Sequence, residues 1–229
     1  MQMTLVAVLA DIHSNLPALK KVLEECDHSR PDMYLIAGDI VGYNPYPNEV
    51  IEELAKIKRK HMIMGNHDRA TFTRNTEWFN AEAAEAVRWT RKNVKQENME
   101  ILGKMKDKLR LKLGNKYVLL CHGSPNDPDE YVFPNAASEQ MLRENRVDVV
   151  IMGHTHVAFV REYPSGIVLN PGAVGQPRDG DPRAAAMVID LDSMEITKIR
   201  VDYDIDATAD EIEKVGLPKR LADRLYHGT

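Results

Sequence analysis

Five short apolar runs in this chain are each followed directly by acidic, amide or histidine side chains, most of them beside a glycine. Such runs are typical of buried strands, and patterns of amphipathic helices alternate with them. Strands joined through helices form sheets whose carboxyl ends share one edge, so the sequence predicts an α/β fold with these polar groups gathered there. The runs and groups are TLVAVLA with Asp11 and His13, MYLIA with Asp39, HMIM with Asn66, His67 and Asp68, KYVLLC with His122, and VDVVIM with His154 and His156.

Helix patterns fill most of the intervals between the runs. Ser14 or Asn15 can cap the first helix, Asn48 is the predicted cap of the second, and residues 135–145 form a third. Residues 70–107 break the alternation, because their pattern is helical throughout. We interpret them as an insertion that either forms a wall or lid over a site at the sheet edge, or covers the sheet as a helical pair.

The last third of the chain changes from this alternation to β-hairpins and then to helix. From residue 157, VAFVREY pairs with GIVLN and AAAMVID with MEITKIRV, across the turn signals PSG and LDS. Residues 206–229 form a predicted helical tail, in which Thr208 and Glu211 make a capping box. Since the sequence shows no linker or low-complexity segment, we expect a single domain over residues 1–229.

Charge and cysteine content exclude several classes of protein. The formal net charge is −5, with no basic patch of the kind that binds nucleic acid, so nucleic acid is not an expected partner. Cys26 and Cys121 are too few for a disulfide framework, and reduced thiols fit a cytoplasmic location. No apolar stretch has the length of a membrane span, so no membrane partner is expected either.

The side chains after the runs are ligands that transition metals prefer. They comprise carboxylates, one carboxamide and imidazoles without thiolate, a set that suits Mn, Fe, Co, Ni or Zn. One zinc site takes about four ligands, whereas two metals that share a carboxylate can use seven. Two metals roughly 3.5–4 Å apart are a known device for in-line displacement at phosphorus. The seven candidate ligands are Asp11, His13, Asp39, Asn66, His122, His154 and His156.

Five motifs in a fixed order, D-x-H, G-D-x-x-G, G-N-H-D, H-G and G-H-T-H, make the chain resemble the calcineurin-like metallophosphoesterases over residues 4 to about 190. The stretches DIHSNLPAL, GDIVGYNPYPNE and NPGAVGQPRDGDPRA, with a Gly-Leu-Pro tail, are similar to the small prokaryotic phosphoesterases of that family. The resemblance implies a four-layer sandwich of two mixed β-sheets flanked by helices, with the metals at one edge.

The resemblance also divides the seven ligands between two metals and adds a catalytic histidine. His67 of G-N-H-D matches the family histidine that is not a ligand, contacts the phosphate and helps the leaving group depart. By motif, Asp39 bridges the metals, the first metal takes Asp11, His13 and His156, and the second takes Asn66, His122 and His154.

The chain departs from one branch of the family at a single informative position. The protein Ser/Thr phosphatases have a second aspartate in G-D-x-x-D-R-G, where this chain has Gly42, so protein phosphatase activity is not expected. Whether Asp68 replaces that aspartate as the partner of His67 stays open. Arg178, in GQPRDG, either binds the substrate phosphate through two hydrogen bonds or has a surface or structural role.

These observations predict a dinuclear phosphoesterase that hydrolyses phosphodiester or phosphomonoester bonds of small substrates, among them nucleotides or dinucleoside polyphosphates. The expected cofactors are two divalent transition-metal ions, Mn first, with Fe, Ni, Co or Zn as the other candidates, and the expected nucleophile is a hydroxide that bridges them. Two alternatives remain. One is a metal-binding interaction scaffold, since the fold is known with a degraded site in a retromer subunit, and the other is a nuclease.

Overall fold

Residues 5–229, which the computed structural model describes, form ten strands and eight helices. None of the helices in this part of the chain is both long and apolar enough to cross a membrane. The strands are β1 (Leu5–Leu9), β2 (Met33–Ile36), β3 (Lys60–Met62), β4 (Lys108–Leu113), β5 (Lys116–Cys121), β6 (Val149–Ile151), β7 (Phe159–Tyr163), β8 (Gly166–Asn170), β9 (Ala184–Asp190) and β10 (Ile196–Val201). The helices are α1 (Leu16–His28), α2 (Pro47–Ala55), α3 (Asn66–Thr73), α4 (Ala81–Asn93), α5 (Gln96–Lys104), α6 (Glu139–Asn145), α7 (Ile205–Lys214) and α8 (Lys219–Leu225).

The strands form two mixed five-stranded sheets. The first has the order β10-β9-β1-β2-β3, in which β1, β2 and β3 are parallel and β9 runs antiparallel to its neighbours β1 and β10. The second has the order β4-β5-β6-β8-β7, in which β5, β6 and β8 are parallel and the outer strands are antiparallel. The predicted pair of mixed sheets flanked by helices is therefore confirmed. The two predicted hairpins form as well, but they belong to different sheets.

The alternation of side chains along β1 lets one strand contribute to two cores. Val6 and Val8 pack with Leu120 of β5 in the core between the sheets. Leu9 lies in a second core with Leu19 of α1. Successive side chains of a strand point to opposite faces, so the buried central strands are apolar on both sides. With α6 packed on the outer face of the second sheet, the result is a four-layer arrangement.

Residues 70–107 are only in part the predicted helical insertion. Three helices occupy most of this region, but α3 begins at Asn66, inside the polar group that follows β3. The strand β4, with the sequence KLRLKL, is missing from the sequence prediction. It alternates exposed and half-buried side chains at the border of the second sheet, so its lysines and arginine interrupt the apolar run by which a central strand is recognised. The predicted helix at 135–145 is shorter than expected and begins at Glu139.

Two predicted helix caps are wrong. Asn48 lies in the first turn of α2, which already begins at the preceding proline. Its Oδ1 instead accepts hydrogen bonds from the backbone N–H of Lys95 (2.8 Å) and the side chain of Asn98 (3.0 Å), and so fixes the start of α5. Thr208 lies inside α7, because Asp204 caps that helix four residues earlier.

The C-terminal tail is tied to the first helix through one buried asparagine. Asn15, one of the two predicted caps of α1, accepts a hydrogen bond from the N–H of Ala18 (3.2 Å). The hydroxyl of Thr208 donates to the same oxygen (3.1 Å), and the amide of Asn15 donates to the carbonyl of Gly175 (2.9 Å). The cap of α1 therefore also positions α7 and the loop that follows β8.

Candidate metal centre

Six of the seven predicted ligands form two overlapping groups of buried donors at the carboxyl ends of the parallel strands. Within each group the donor atoms all lie within 4.8 Å of one another. The side-chain oxygen of Asn66 adjoins the second group, 3.0 Å from Nε2 of His122. Asp39 belongs to both groups, which is the place that a bridging carboxylate takes. The first group comprises Asp11, His13, Asp39 and His156, and the second comprises Asp39, His122 and His154.

Each of the four candidate histidine ligands uses one ring nitrogen to contact a backbone carbonyl. A carbonyl can only accept a hydrogen bond, so that nitrogen carries a proton and the other ring nitrogen faces the centre. That second nitrogen has a free lone pair in His13, His154 and His156, whose pKa values are lowered, and it carries a proton in His122 until metal displaces it. Such outer contacts orient histidine ligands in metal sites. The contacts are His13 Nδ1 to Val41 (3.2 Å), His122 Nδ1 to Ala37 (2.7 Å), His156 Nδ1 to Gln176 (2.6 Å) and His154 Nε2 to Asp129 (3.1 Å).

The donor atoms of the first group face one another without a proton to share. Nε2 of His13 lies 3.1 Å from Nε2 of His156, and the tautomers above leave a lone pair on each. Oδ1 of Asp11 lies 3.6 Å from Nε2 of His156, and its Oδ2 is buried with no hydrogen-bond partner among residues 5–229. Facing lone pairs at this distance repel one another unless a cation lies between them, so the residues present fit a bound metal ion.

Among residues 5–229, five of the eleven non-glycine residues with a positive φ are candidate ligands. Five of the seven adopt left-handed conformations, with φ between 47° and 67°, a region that residues other than glycine seldom occupy. Such conformations persist where surrounding structure holds them, and they occur most often at functional sites. The five are Asp11, His13, Asp39, His154 and His156.

The ionisable groups of the centre shift one another strongly. Burial acts to raise the pKa of the Asp39 carboxyl, but the imidazoles of His122 and His67 outweigh it and hold that pKa well below its usual range. Burial acts to lower the pKa of His122, but the Asp39 carboxylate at 3.3 Å raises it to about 10. Burial raises the pKa of Asp11 to about 7. Without metal, a proton on His122 therefore supplies the positive charge that Asp39 requires.

His67 lies beside the centre in an aromatic enclosure. Its ring centroid is 4.4 Å from that of Tyr43 and 4.7 Å from that of Phe79. Its Nδ1 has no hydrogen-bond partner among the described residues, and burial above all lowers its pKa to about 4. Gly42, with φ of +102°, makes room for this ring, because a Cβ at that position would lie 2.5 Å from Nδ1 of His67.

Asp68 does not serve as the partner of His67. Its carboxylate accepts hydrogen bonds from the backbone N–H groups of Ile40, Val41 and Gly65, each at 3.0 Å. Burial raises its pKa to about 7. Asp68 thus connects the loop that carries Asp39 to the start of α3, which carries Asn66. Its role is to position these two segments and not to pair with His67, the alternative that the sequence left open.

Arg178 lies close to the centre but not in the pocket beside it. Its guanidinium donates to the hydroxyl of Tyr43 (3.1 Å) and to the side-chain oxygen of Gln176 (3.2 Å). The pKa of His156 is lowered first by burial and second by the positive charge of Arg178. These contacts place a half-buried cation next to the first group of donors, and its expected contact with a substrate phosphate stays a prediction.

A pocket of about 810 Å³ opens beside the centre. Its floor includes Asn66, His67 and His154, so it reaches candidate metal ligands and the candidate catalytic histidine. One wall comes from α3 and the segment that leads into α4, while α5 packs Leu102 into the core against the first sheet. The start of region 70–107 therefore lines the pocket, and its end covers the first sheet, so the region combines the two arrangements that the sequence allowed.

The sequence did not indicate that the loop after β5 lines the pocket, or which residues enclose His67. Tyr131, with Asp127 and Asp129, comes from the loop that follows β5, and Tyr43 and Phe79 contact His67 from two other segments. None of the five lies in a metal-ligand pattern. Aromatic residues in loops next to the motifs were the one available signal.

Comparison with known proteins gives one family and several relatives. The model of the calcineurin-like phosphoesterase superfamily domain matches residues 3–194. The chain is 33% identical to uncharacterized protein MJ0912 of Methanocaldococcus jannaschii, over 98% of each chain. It is 25% identical to phosphodiesterase YfcE of Escherichia coli strain K12, over 78% of this chain and 84% of that protein. A crystal structure of a metallophosphoesterase from Sphaerobacter thermophilus matches with a TM-score of 0.84 and 32% identity over the whole of both chains.

Proposed function

Because the chain belongs to the calcineurin-like phosphoesterase superfamily and is a metallophosphoesterase, we propose that it hydrolyses phosphate esters of small molecules with two divalent metal ions. The observation that carries the two-metal proposal is the position of Asp39, whose carboxylate is shared by two groups of buried donors. Seven donors exceed what one ion with about four ligands needs. The finer choices, namely the number and kind of metal and the substrate, belong to this proposal.

The ligand assignment follows the two groups of donors. Asp39 would be shared by the two ions and Asn66 would complete the second group. The oxygen and nitrogen donors suit manganese first, with Fe, Ni, Co or Zn as alternatives. When bound, the metal pair supplies Lewis-acid activation of water and neutralises charge on the phosphoryl group. Beside Asp39, the first metal would be held by Asp11, His13 and His156, and the second by Asn66, His122 and His154.

The chain's own contribution to the reaction is orientation of the substrate and a hydrogen bond to the leaving oxygen. His67 lines the pocket beside the candidate ligands, so its ring can reach the oxygen that leaves phosphorus. With a pKa near 4 the imidazole is neutral at neutral pH and offers one N–H to that oxygen. Gly42 and Phe79 fix the ring in place. Arg178, on the other side of Tyr43, supplies positive charge toward a phosphate at the centre.

The metal count and the turnover of the protein test this function together. Metal analysis after loading with manganese should approach two ions per chain, and the loaded protein should hydrolyse bis(4-nitrophenyl) phosphate, a reaction that a chelator stops. Asp39→Asn should lose metal and activity together. Asp192→Asn, a change of an exposed carboxylate between β9 and β10, is the matched control and should keep both. One ion per chain at saturating metal would reject the bridging role of Asp39.

The two alternative functions have less support. A scaffold does not need a centre in which all candidate ligands are present and six of the seven are buried and held by a backbone contact or a left-handed conformation. A nuclease needs a basic groove that follows a polymer, whereas the pocket wall carries Asp127 and Asp129. Binding of single-stranded DNA that weakens steeply with salt would favour the nuclease.

A further inference from the structure

Two exposed aromatic rings from different segments of the chain line the pocket beside the centre. The side chain of Trp78, between α3 and α4, is 90% exposed, and that of Tyr131, in the loop after β5, is 53% exposed. Large apolar side chains exposed around a concave site mark a place where a ligand binds. Tyr131 packs on the imidazole of His154 with ring centroids 3.9 Å apart, so the aromatic wall continues into the metal centre.

We propose that this pocket holds the nucleobase of a nucleoside whose hydroxyl oxygen is the leaving group. The inference rests on the proposed function and names its substrate class. His67 lines the pocket, so the group that departs from phosphorus next to His67 enters it. In the reaction the bond from phosphorus to the nucleoside oxygen breaks, and the oxygen of water bonds to phosphorus. One proton of that water ends on the nucleoside hydroxyl.

The polar groups of the pocket favour a nucleoside over a plain aromatic ring. Asp127 and Asp129 provide carboxylate acceptors on the wall that carries Tyr131, and Asn75 provides a carboxamide on the wall that carries Trp78. Sugar hydroxyls and the N–H groups of a base edge are donors that such acceptors bind. Stacking on aromatic rings holds any base, because each presents a π face.

The charges of the pocket favour a substrate with one phosphate group. Arg69 is the single Arg or Lys that lines the pocket within residues 5–229, and it pairs with Asp129 and, at 3.8 Å, with Asp107. Asp127 adds a further carboxylate. A second phosphate in this space would meet negative charge without a cation to balance it. The pocket therefore suits a nucleoside monophosphate or its ester better than a dinucleoside polyphosphate.

Fluorescence of Trp78 tests the subsite without any turnover. The chain has two tryptophans, so Trp89→Phe leaves Trp78 as the sole reporter. Adenosine added to the manganese-loaded protein should change the emission of Trp78 in a saturable way, whereas ribose should not. A second change, Tyr131→Ala, should weaken the adenosine response. No response to adenosine at millimolar concentration would overturn the proposal.

Paired substrates test the same subsite in catalysis. Adenosine 5′-phosphate and ribose 5-phosphate, and the methyl esters of both, have the same leaving oxygen and differ only in the base. The base should raise kcat/KM, and Trp78→Ala or Tyr131→Ala should remove about tenfold or more of that advantage. Tyr117→Ala, an exposed aromatic at the far end of β5, is the control and should leave the advantage unchanged.

Failure of the subsite and failure of the proposed function give different results. If the loaded protein hydrolyses no phosphate ester, bis(4-nitrophenyl) phosphate included, the proposed function fails, and the fluorescence titration still decides the subsite. If it hydrolyses the aryl diester but gains nothing from the base, the nucleoside inference fails alone. Faster cleavage of a dinucleoside polyphosphate than of adenosine 5′-phosphate and its methyl ester would also overturn it.

Discussion

Asn66 and His67 are neighbours in one motif, yet their surroundings give them different functions. The side-chain oxygen of Asn66 contacts His122 at the second group of donors, whereas His67 is enclosed by Tyr43 and Phe79. Two adjacent side chains at the start of α3 point in different directions, so one can bind metal while the other faces the leaving group.

His67→Ala should therefore keep both metals and slow the chemical step. We expect kcat to fall by about 10²–10⁴ for an alkyl or nucleoside leaving group, because the departing oxygen loses its donor. The loss should be smaller for nitrophenolate, which needs little protonation. Steady-state kinetics with both kinds of ester, beside metal analysis, measures this.

Asn66→Ala is the matched control for that change and should lose metal and activity together. Equal losses of kcat for both kinds of leaving group in His67→Ala would contradict hydrogen-bond donation to the leaving oxygen and leave a phosphate-binding role. Loss of a metal in His67→Ala would mean that the ligand assignment is wrong.

Gly42→Ala should impair catalysis through the position of His67. The added Cβ would lie 2.5 Å from Nδ1, so the imidazole has to move, and misplacement of a catalytic group costs about tenfold to a hundredfold in kcat. Gly180→Ala is the control, because Gly180 also has a positive φ but a Cβ there meets nothing within 4 Å. Metal content should stay unchanged in both proteins. Equal loss of activity in both would assign the effect to backbone strain.

At the scale of residues, six of the seven candidate ligands that the sequence suggested lie together in the structure. Histidines and aspartates placed directly after apolar runs have few structural reasons to be there, so the candidate ligands could be listed in advance. The space that Gly42 leaves for His67, and the stacking of Tyr131 on His154, depend on contacts between distant segments. No local pattern carries that information.

At the scale of elements, the buried strands and the caps Asn15 and Asn80 were predictable, whereas the edge strand β4 and the true partners of Asn48 and Thr208 were not. A central strand is apolar on both faces and stands out, whereas β4 is half exposed and resembles the charged helices before it. Asn48 and Thr208 are good cap residues by type, but tertiary partners use their side chains elsewhere. Tertiary contacts of this kind override the intrinsic capping preference of a residue when the two conflict.

Asn48→Ala should loosen the turn between α4 and α5 and leave α2 intact. The N–H of Lys95 loses its acceptor, and we expect the free energy of unfolding to fall by about 1–2 kcal/mol. Hydrogen exchange should speed up at the Lys95 amide and not in the first turn of α2. Asn93→Ala is the control, since that side chain bonds only to Trp89 of its own helix. Faster exchange at the start of α2 would restore the capping role predicted from the sequence.

At the scale of the whole molecule, the metal centre joins the two sheets. Asp11 and Asp39 follow strands of the first sheet, and His122 and His154 follow strands of the second. Metal can bind in this way only after both sheets have formed and met, so binding and folding are coupled. For this reason we also propose that residues 1–229 form a single domain.

Metal affinity should rise with pH. His122 has a pKa of about 10 in the metal-free protein, so it is protonated at neutral pH and must release its proton to become a ligand. Asp11 has a pKa of about 7, so below that pH its carboxyl is protonated and metal binding displaces a second proton from it. Competition with a chelator between about pH 6 and pH 9 should show the affinity rising by about tenfold per pH unit for each proton displaced. An affinity that does not change over this range would contradict these protonation states.

The antiparallel pairing of β1 with β9 sets the order in which the protein can be assembled during synthesis. During translation β1 precedes β9 by most of the chain, and one side of this central strand stays unpaired until residue 190 has emerged. Ribosome-bound chains that stop before residue 184 should hold no metal, which analysis of stalled complexes can measure. Metal would then bind only after translation has passed β9, from the ions available at that place. We therefore expect the metal content of the enzyme to depend on the metal concentrations in the compartment where it folds.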